Sequence, residues 1–590
     1  MSDGLAQESR AFRVEDLALP PLDGRRDLAP TIVRAYLEDA RRKLYEWHLA
    51  GASGADIVRA MTATVDRAVV YLHDIAVAEF ATRNVRVAGR CAIIAQGGYG
   101  RGELSPGSDI DLLFVYAWKV NPFVEWVAEK ILYSLWDTGL QVGHAVRSVP
   151  ECVRLAARDF KVKTALLDTR FLCGDVELGR DLEKAIENEV LKQNADSFFK
   201  EKLAESEERH RQFGESVYLL EPHLKEGEGG LRDLQTAFWM ARVKFKIRHL
   251  KELVQKSVVS ERDLDAVLAS RDFLWRARNT LHFLSGAHQD QLTFEYQDRV
   301  AQILGYGDAE ERRGVERFMR DYYLHAAMIN RFADAVIDRC LEKPSPYRRL
   351  TEIFGRKIRP GLRIARGELS VEDPELLARD PAAIVGLFLE SQRHAVPIAQ
   401  RTKELVRASA PGLGPLRDRA DVVQSFREIL RGRGRVYETL STMHELEVLD
   451  QLIPEFGQLR CMVIRDFYHI YTVDEHTLRG VRALEQLDAG QFKDTAPLCT
   501  DVMRDLDDRE ILHLSMILHD VGKGHGHGHS DRGARLALDV AARFGFDADA
   551  ATEISRLVRH HLLMSHVAQH RDLEDDRVVV DFARLLEDRE

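Results

Sequence analysis

Apolar positions recur at helical spacing through most of this chain, and the exceptions mark its changes of architecture. Between 28 and 85, Ile32, Val33, Tyr36, Leu37 and Ala40 share one helical face, and the stretch from Gly51 to Gly54 separates them from a second periodic run. An N-terminal helical hairpin is predicted. The pattern changes at Val87: a β-type run at 91–95 ends in Gly97-Gly98, and a second, at 110–116, follows the turn Ser105-Pro106-Gly107. A mixed α/β unit begins there. From 198 to 342 the period is helical again, with aromatic stripes such as Phe238, Trp239 and Phe245. The stretch 344–384 carries Pro344, Pro346, Pro360, Pro374 and Pro381, a hairpin pattern at 362–369 and a helix start near Ala382, and reads as a connector. Helices return from Val422 to the end, where histidines become frequent after His469.

The pattern divides the chain into an N-terminal helical region (1–85), an α/β core (86–190), a helical domain (191–343), a connector (344–420) and a C-terminal helical domain (421–590). A length of 590 residues rules out a single small binding module. With 84 basic against 95 acidic residues the net charge is −11, which argues against nucleic acid as the main partner. Six cysteines without a C-x-x-C pair fit reduced thiols and a cytoplasmic location. No run approaches the roughly 18 apolar residues of a membrane span, and the first 20 residues carry too many charges for a signal peptide.

The first chemical candidate is Gln96-Gly97-Gly98-Tyr99-Gly100-Arg101-Gly102-Glu103-Leu104, followed by Ser108-Asp109-Ile110-Asp111-Leu112-Leu113. Glycines after a strand let backbone N–H groups approach a phosphate. Asp109 and Asp111, two apart at a strand start, project on one face and can share divalent ions. G-G-x-G alone is equally well a tight turn; the combination with the paired acids is the stronger signal. Here the chain resembles the nucleotidyltransferase superfamily with the DNA polymerase beta type of fold. That resemblance implies phosphate contact by Gly97, Gly98 and Ser108, and Mg²⁺ or Mn²⁺ held by Asp109 and Asp111. Its third acid is left open: 140–146 offers Gln141, with Asp137 and Asp168 nearby. In the helical domain, Glu221-Pro222-His223-Leu224-Lys225-Glu226-Gly227-Glu228-Gly229-Gly230-Leu231-Arg232-Asp233 sets a glycine pair before a helix, with Lys225 and Arg232 as a second anion site. Further on, Arg276, Arg278, Asn279, His282, Arg320, Tyr322 and Tyr323 resemble nucleotide-lining motifs.

The second candidate gathers His476, His519-Asp520, His560-His561, Asp572 and Asp576. Imidazole with carboxylate suits Mn²⁺, Fe²⁺, Zn²⁺ or Mg²⁺, and such an ion polarises a phosphoryl oxygen for hydrolysis, with Lys523 as a neighbouring positive charge. The string His519-Asp520-Val521-Gly522-Lys523-Gly524 resembles the HD-domain phosphohydrolase signature. In that light His476 is the preceding ligand, His529 and His560 are candidates for a second ion, and Asp572 or Asp576 is the closing carboxylate. His525 and His527 lie in a Gly-His alternation and are not assigned.

The expected fold is therefore multidomain and mainly α, with an α/β polymerase-beta-like nucleotidyltransferase core and an all-α HD domain. The order of sites, together with Tyr468-His469-Ile470-Tyr471-Thr472-Val473-Asp474-Glu475-His476, resembles the bifunctional uridylyltransferase and uridylyl-removing family that modifies the PII signal protein. The resemblance implies transfer of UMP from UTP to a PII tyrosine at the first site and its hydrolytic removal at the second. It implies no membrane partner. Two C-terminal ACT domains that sense glutamine in this family have no counterpart before Glu590, so glutamine control is expected to be lost or weakened. A second departure is the Gly524-to-His529 repeat, where the family carries a Gly-rich stretch ending in an acid. Guanosine-tetraphosphate synthetases carry the two domains in the opposite order. A tRNA nucleotidyltransferase with an HD domain would call for a more basic surface, and a non-catalytic PII-binding regulator would have lost the acids or histidines that are present.

Overall fold

The computed structural model describes residues 12–21, 28–83, 89–308, 313–342, 355–464, 470–524, 528–572 and 575–586. Val87, Pro344, Pro346, Tyr468, His469, His525 and His527 lie outside the described residues. The chain divides into two compact units, Met1–Glu342 and Lys343–Glu590.

In the first unit, helices α1 (Ala29–Leu49) and α2 (Gly54–Arg83) form the N-terminal hairpin. A four-stranded sheet follows, made of β1 (Cys91–Gln96), β2 (Ile110–Tyr116), β3 (Val142–Ser148) and β4 (Arg170–Gly174) in the order β3-β2-β1-β4. β1 runs antiparallel to β2 and β4, while β3 is parallel to β2 and forms one edge. Strand alternation splits β2 between two cores. Ile110, Leu112 and Phe114 pack with Val33, Leu44, Val65 and Leu72 of the hairpin and with Val124 and Ile131 of α3 (Pro122–Trp136). Leu113 and Val115 face the other way, onto Cys152 of α4 (Val149–Ala156), Leu166 of α5 (Phe160–Leu167) and Leu182 of α6 (Val176–Asn188). The odd positions Asp109 and Asp111 continue the second face, so the acids emerge where that core ends.

Five more long helices complete the unit: α7 (Ala195–Phe213), α8 (Leu231–Phe245), α9 (Glu261–Ser285), α10 (Phe294–Ile303) and α11 (Gly314–Leu341). Tyr322 and Tyr323 of α11 are fully buried, so these two aromatics serve as core and present no ring to a ligand.

The second unit begins with a three-stranded antiparallel sheet, β5 (Arg356–Arg359), β6 (Leu362–Ala365) and β7 (Glu368–Val371). Helices α12 (Ala383–His394), α13 (Gln400–Ser409), α14 (Ala420–Leu430) and α15 (Val436–Glu445) follow. The last seven are α16 (Val473–Asp488), α17 (Pro497–Asp505), α18 (Arg509–Leu518), α19 (His529–Arg543), α20 (Ala548–His560), α21 (Leu563–His570) and α22 (Asp576–Leu586). The prolines at 360, 374 and 381 suggest a connector, but residues 362–413 contribute Leu369, Leu377, Ile384, Phe388, Val406 and Leu413 to one continuous core with Val436, Leu514, Val540 and Val558. Proline there ends strands and starts helices within a packed layer.

Within this core His444 is enclosed by two carboxylates, Nδ1 donating to Asp450 at 2.9 Å and Nε2 to Asp474 at 3.0 Å. Asp474 also accepts from the Cys461 backbone N–H at 3.0 Å. Burial alone would lower the His444 pKa, but the two acids outweigh it and push it up to about 9. The imidazolium thus ties α15 to the start of α16. A folded pKa above the ordinary 6.5 contributes stability that is fully present below about pH 6.5 and lost as the pH rises through 9. Hydrogen exchange at 436–445 and 473–488 in the full chain is expected to accelerate between those two values beyond the intrinsic rate change, and His444→Gln to start less protected and lose that pH dependence. Equal pH dependence in both proteins would exclude the imidazolium.

Candidate active sites

The first centre lies at the N-terminal end of β2. Gln96 pairs with Asp111 across β1–β2, and Gly143 pairs with Asp111 across β2–β3. The chain turns at Gly97, in the left-handed region at φ +58°. A Cβ on Gly97 would meet Asp111 Oδ2 at 3.0 Å, and one on Gly143 would meet Asp111 Oδ1 at 2.4 Å. The carboxylate therefore occupies a slot flanked by two residues without side chains. Burial, then the charge of Asp109, pushes the Asp111 carboxyl up, while Lys225 and Arg101 pull it down.

A cavity of about 430 Å³ opens over these acids. Gly97, Gly98, Ser108, Asp109, Asp111, Lys225 and Arg232 all line it, so the structure brings together the residues of the glycine turn, the paired acids and the second anion site. Burial, then Arg232 and Arg278, lowers the Lys225 pKa. Arg232 forms a two-pronged ion pair with Glu226, at 3.0 and 3.2 Å. Sequence reasoning did not assign Arg101, Lys161 and Lys202, which add positive charge to the same walls. Arg101 directly follows the glycine turn and was within reach of the motif; Lys202, on α7, has no local signal.

The Ser105–Ser108 turn before Asp109 is clamped from α9. Arg278 donates to Asp290 at 2.6 and 3.1 Å and to Ser105 Oγ at 3.0 Å. The Gly107 N–H donates to His282 Nδ1 at 2.9 Å, which leaves Nε2–H to donate to Asp290, also at 2.9 Å. His282 must then be neutral, in agreement with burial pulling its pKa down to about 4. Of the other residues grouped with these, Asn279 is buried and Arg276 lines a separate cavity. β3 and β4 supply no carboxylate beside Asp111. Asp168 reaches the cavity wall but is held by Arg101 and by Trp239 Nε1 at 2.8 Å. Both contacts are to Oδ2, while Oδ1 is buried with no hydrogen-bond partner among the described residues; Asp137 is the C-cap of α3.

The second centre lies where α16, the end of α18, the start of α19 and the end of α20 meet. Ligand atoms of His476, His519 and Asp520 fall within 4.8 Å of one another, and so do those of Asp520, His529 and His561. Asp520 belongs to both groups. His519 Nδ1–H donates to the Met516 carbonyl and His561 Nδ1–H to the Val558 carbonyl, each at 2.7 Å. Both rings thereby keep an Nε2 lone pair, at 3.1 and 3.7 Å from Asp520 oxygens. Among the described residues Asp520 Oδ1 and His529 Nε2 are buried without a hydrogen-bond partner, the condition a cation would relieve. Burial opposes the charge on Asp520, and the Lys523 ammonium beside it offsets that burial. Lys523 Nζ stands 2.8 Å from Asp520 Oδ2. Gly522 is required here, since a Cβ on it would lie 2.0 Å from the His529 carbonyl oxygen at the start of α19.

Four of the metal residues assigned from sequence, His476, His519, Asp520 and His529, come together. His560 does not join either group among the described residues; its neighbour His561 does. The helical period contains the answer, because Ala551, Ile554, Ser555 and Val558 mark the buried face of α20, and three residues beyond Val558 is His561. Asp572 and Asp576 are exposed and belong to neither group.

Models of known families match the chain in the order of these sites. A nucleotidyltransferase domain matches 78–172, GlnD PII-uridylyltransferase 197–337, the uridylyltransferase GlnD third domain 363–452, and an HD domain 473–587. The chain is similar to proteins named bifunctional uridylyltransferase/uridylyl-removing enzyme. It is 38% identical to that of Azospirillum brasilense, over 95% of this chain and 61% of that protein. It is 36% identical to that of Rhodospirillum rubrum, over 97% of this chain and 62% of that protein. The chain thus spans about three-fifths of the length of these curated relatives.

At one hundred times its Kd, a divalent ion bound at the second centre is expected to stabilise that unit by about 2.7 kcal/mol. Titration with Mn²⁺, followed by calorimetry and by hydrogen exchange of α18 and α20, should show His561→Ala losing at least about tenfold in affinity while His560→Ala binds as the parent does. The reverse ranking would show that the rings are arranged otherwise.

Proposed function

We infer that this chain belongs to the bifunctional uridylyltransferase/uridylyl-removing family, and we propose that its first unit transfers UMP from UTP to a tyrosine of the PII protein while its second removes it. The observation that carries the transferase half is one cavity holding a glycine turn, Ser108, two acids and the cations Lys225, Arg232 and Arg278. The UTP triphosphate lies against those cations, with the Gly97-Gly98 backbone and the Ser108 hydroxyl donating to phosphate oxygens. Asp109 and Asp111 hold Mg²⁺ or Mn²⁺, which when bound neutralises the charge building on the phosphates. The tyrosine oxygen forms its bond to the α-phosphorus as the bond to pyrophosphate breaks. The pyrophosphate leaves with the electron pair and the phenolic proton passes to water.

In the second unit, His476, His519, Asp520, His529 and His561 would hold divalent metal, which when bound would supply Lewis-acid polarisation of the phosphodiester. The Met516 and Val558 carbonyls keep the imidazoles of His519 and His561 turned inward. Lys523 offsets the Asp520 charge and extends positive potential to a substrate phosphate. Water adds to phosphorus as the tyrosine oxygen departs, its proton passes to that oxygen, and UMP is released. No helix among the described residues is long and apolar enough to cross a membrane. A cytoplasmic location fits an enzyme whose nucleotide and protein substrates are cytoplasmic.

Two double variants separate the activities. With labelled UTP, Mg²⁺ and PII, Asp109→Asn/Asp111→Asn should lose at least about a thousandfold in transfer, roughly 4 kcal/mol, and still release UMP from modified PII. His519→Ala/Asp520→Ala should do the opposite. If either folded variant loses both reactions, the two-centre assignment is wrong.

A further inference from the structure

Phosphoryl transfer needs the entering oxygen opposite the leaving group, so the acceptor tyrosine must approach the acids from the side away from the pyrophosphate. The cations that would hold the triphosphate lie in the cavity, whose lining includes Gly97, Ser108 and Asp111 but not Gly143. Gly143 is exposed on β3, the edge strand, and Asp111 directs Oδ1 over it while Oδ2 faces Gly97. The carboxylate therefore has two flanks, one on the cavity and one on the sheet edge.

Resting on the transferase reading above, we propose that the acceptor binds as an extended strand added to the free edge of β3, with its tyrosine passing over Gly143 to Asp111. Among the described residues no strand pairs with the outer edge of β3. Strands lie about 4.8 Å apart, so an added strand runs about 9.6 Å from β2. A tyrosine hydroxyl stands about 6.5 Å from its own Cα by standard bond lengths, so a ring that leans across Gly143 toward β2 closes most of that distance to the acids. Any side chain at position 143 would block that lane. The absence of a Cβ thus does two jobs, giving room to Asp111 and to the incoming ring.

The opposite face of the edge carries the complementary feature. There His144 is exposed and stacks edge-on with Trp136 at 5.9 Å, which in turn meets Tyr133 at 5.5 Å. Tyr133 and Trp136 are 61% and 42% exposed, an aromatic ladder in solvent at the same end of the sheet as Asp111. Because side chains alternate along a strand, the residues next to the acceptor tyrosine would lie on this ladder. The partner is therefore an extended segment in which tyrosine is flanked by apolar residues, recognised by backbone pairing on one edge and by alternate side chains on the two faces.

The test uses the full chain with PII and UTP. Tyr133→Glu/His144→Glu alters only exposed side chains outside the cavity. It should raise the KM for PII at least tenfold and leave the KM for UTP and the melting temperature within error. In the parent protein, hydrogen exchange of amides in 142–148 should slow when PII is added with a non-hydrolysable UTP analogue. A PII KM within twofold of the parent, or unchanged exchange at 142–148 while PII binds, overturns the edge-strand geometry and leaves the transferase reading standing. Failure of the parent to bind or modify PII under any of these conditions overturns that reading, and the docking proposal with it.

Discussion

Two like charges held two residues apart at the end of one strand repel each other, and the first unit is organised around that repulsion. The alternation of β2 sends Ile110 into one core and both acids toward the other. Nothing in the sheet neutralises them, since neither β3 nor β4 places a cation beside Asp111, whose partner on β3 is Gly143. The charges that favour ionised Asp111 are Lys225, from the segment before α8, and Arg101, just after the glycine turn, while Lys202 of α7, Arg232 of α8 and Arg278 of α9 line the same cavity. A helical domain packed on the nucleotidyltransferase core closes the pocket and sets cations from α7, α8 and α9 around the paired acids.

The same logic operates in the second unit with different side chains. Asp520 is 1% exposed, too deep to remain charged without partners. Lys523 stands beside it, with the imidazoles of His519 and His561, whose orientations are set by the Met516 and Val558 carbonyls. Neutral imidazoles are suited to a site that must receive a cation, because their lone pairs face inward without adding charge. His444 is the contrasting case: both ring nitrogens meet carboxylates, so it is an imidazolium that joins helices. Residue type alone does not separate these roles; the acceptor on the second nitrogen does.

Each centre sits in its own unit, with its own core. Opposed reactions assigned to separate pockets do not have to compete for one set of ligands. Gly97, Gly143 and Gly522 leave room at the two centres by offering no side chain, the first two beside the Asp111 carboxylate and the third beside the His529 carbonyl.

Local periodicity determined a good deal. The helical hairpin, the strands at 91–96 and 110–116, the pairing of Asp109 with Asp111 on one face and the His519-Asp520 signature follow from spacings of two to four residues, which backbone geometry imposes wherever the chain lies. The inward position of His561 was also written in the period of α20, although the adjacent His560 obscured it. Tertiary structure alone decided the rest. It turned residues 362–413 from an apparent connector into core, held Asp168 in the cavity wall with Arg101 and Trp239, and left Asp572 and Asp576 in solvent. It also brought Lys202 and Arg278 to the acids. These outcomes depend on contacts between residues tens to hundreds of positions apart, where burial and charge compensation are settled by the partners that packing supplies and no local repeat records which partner will arrive.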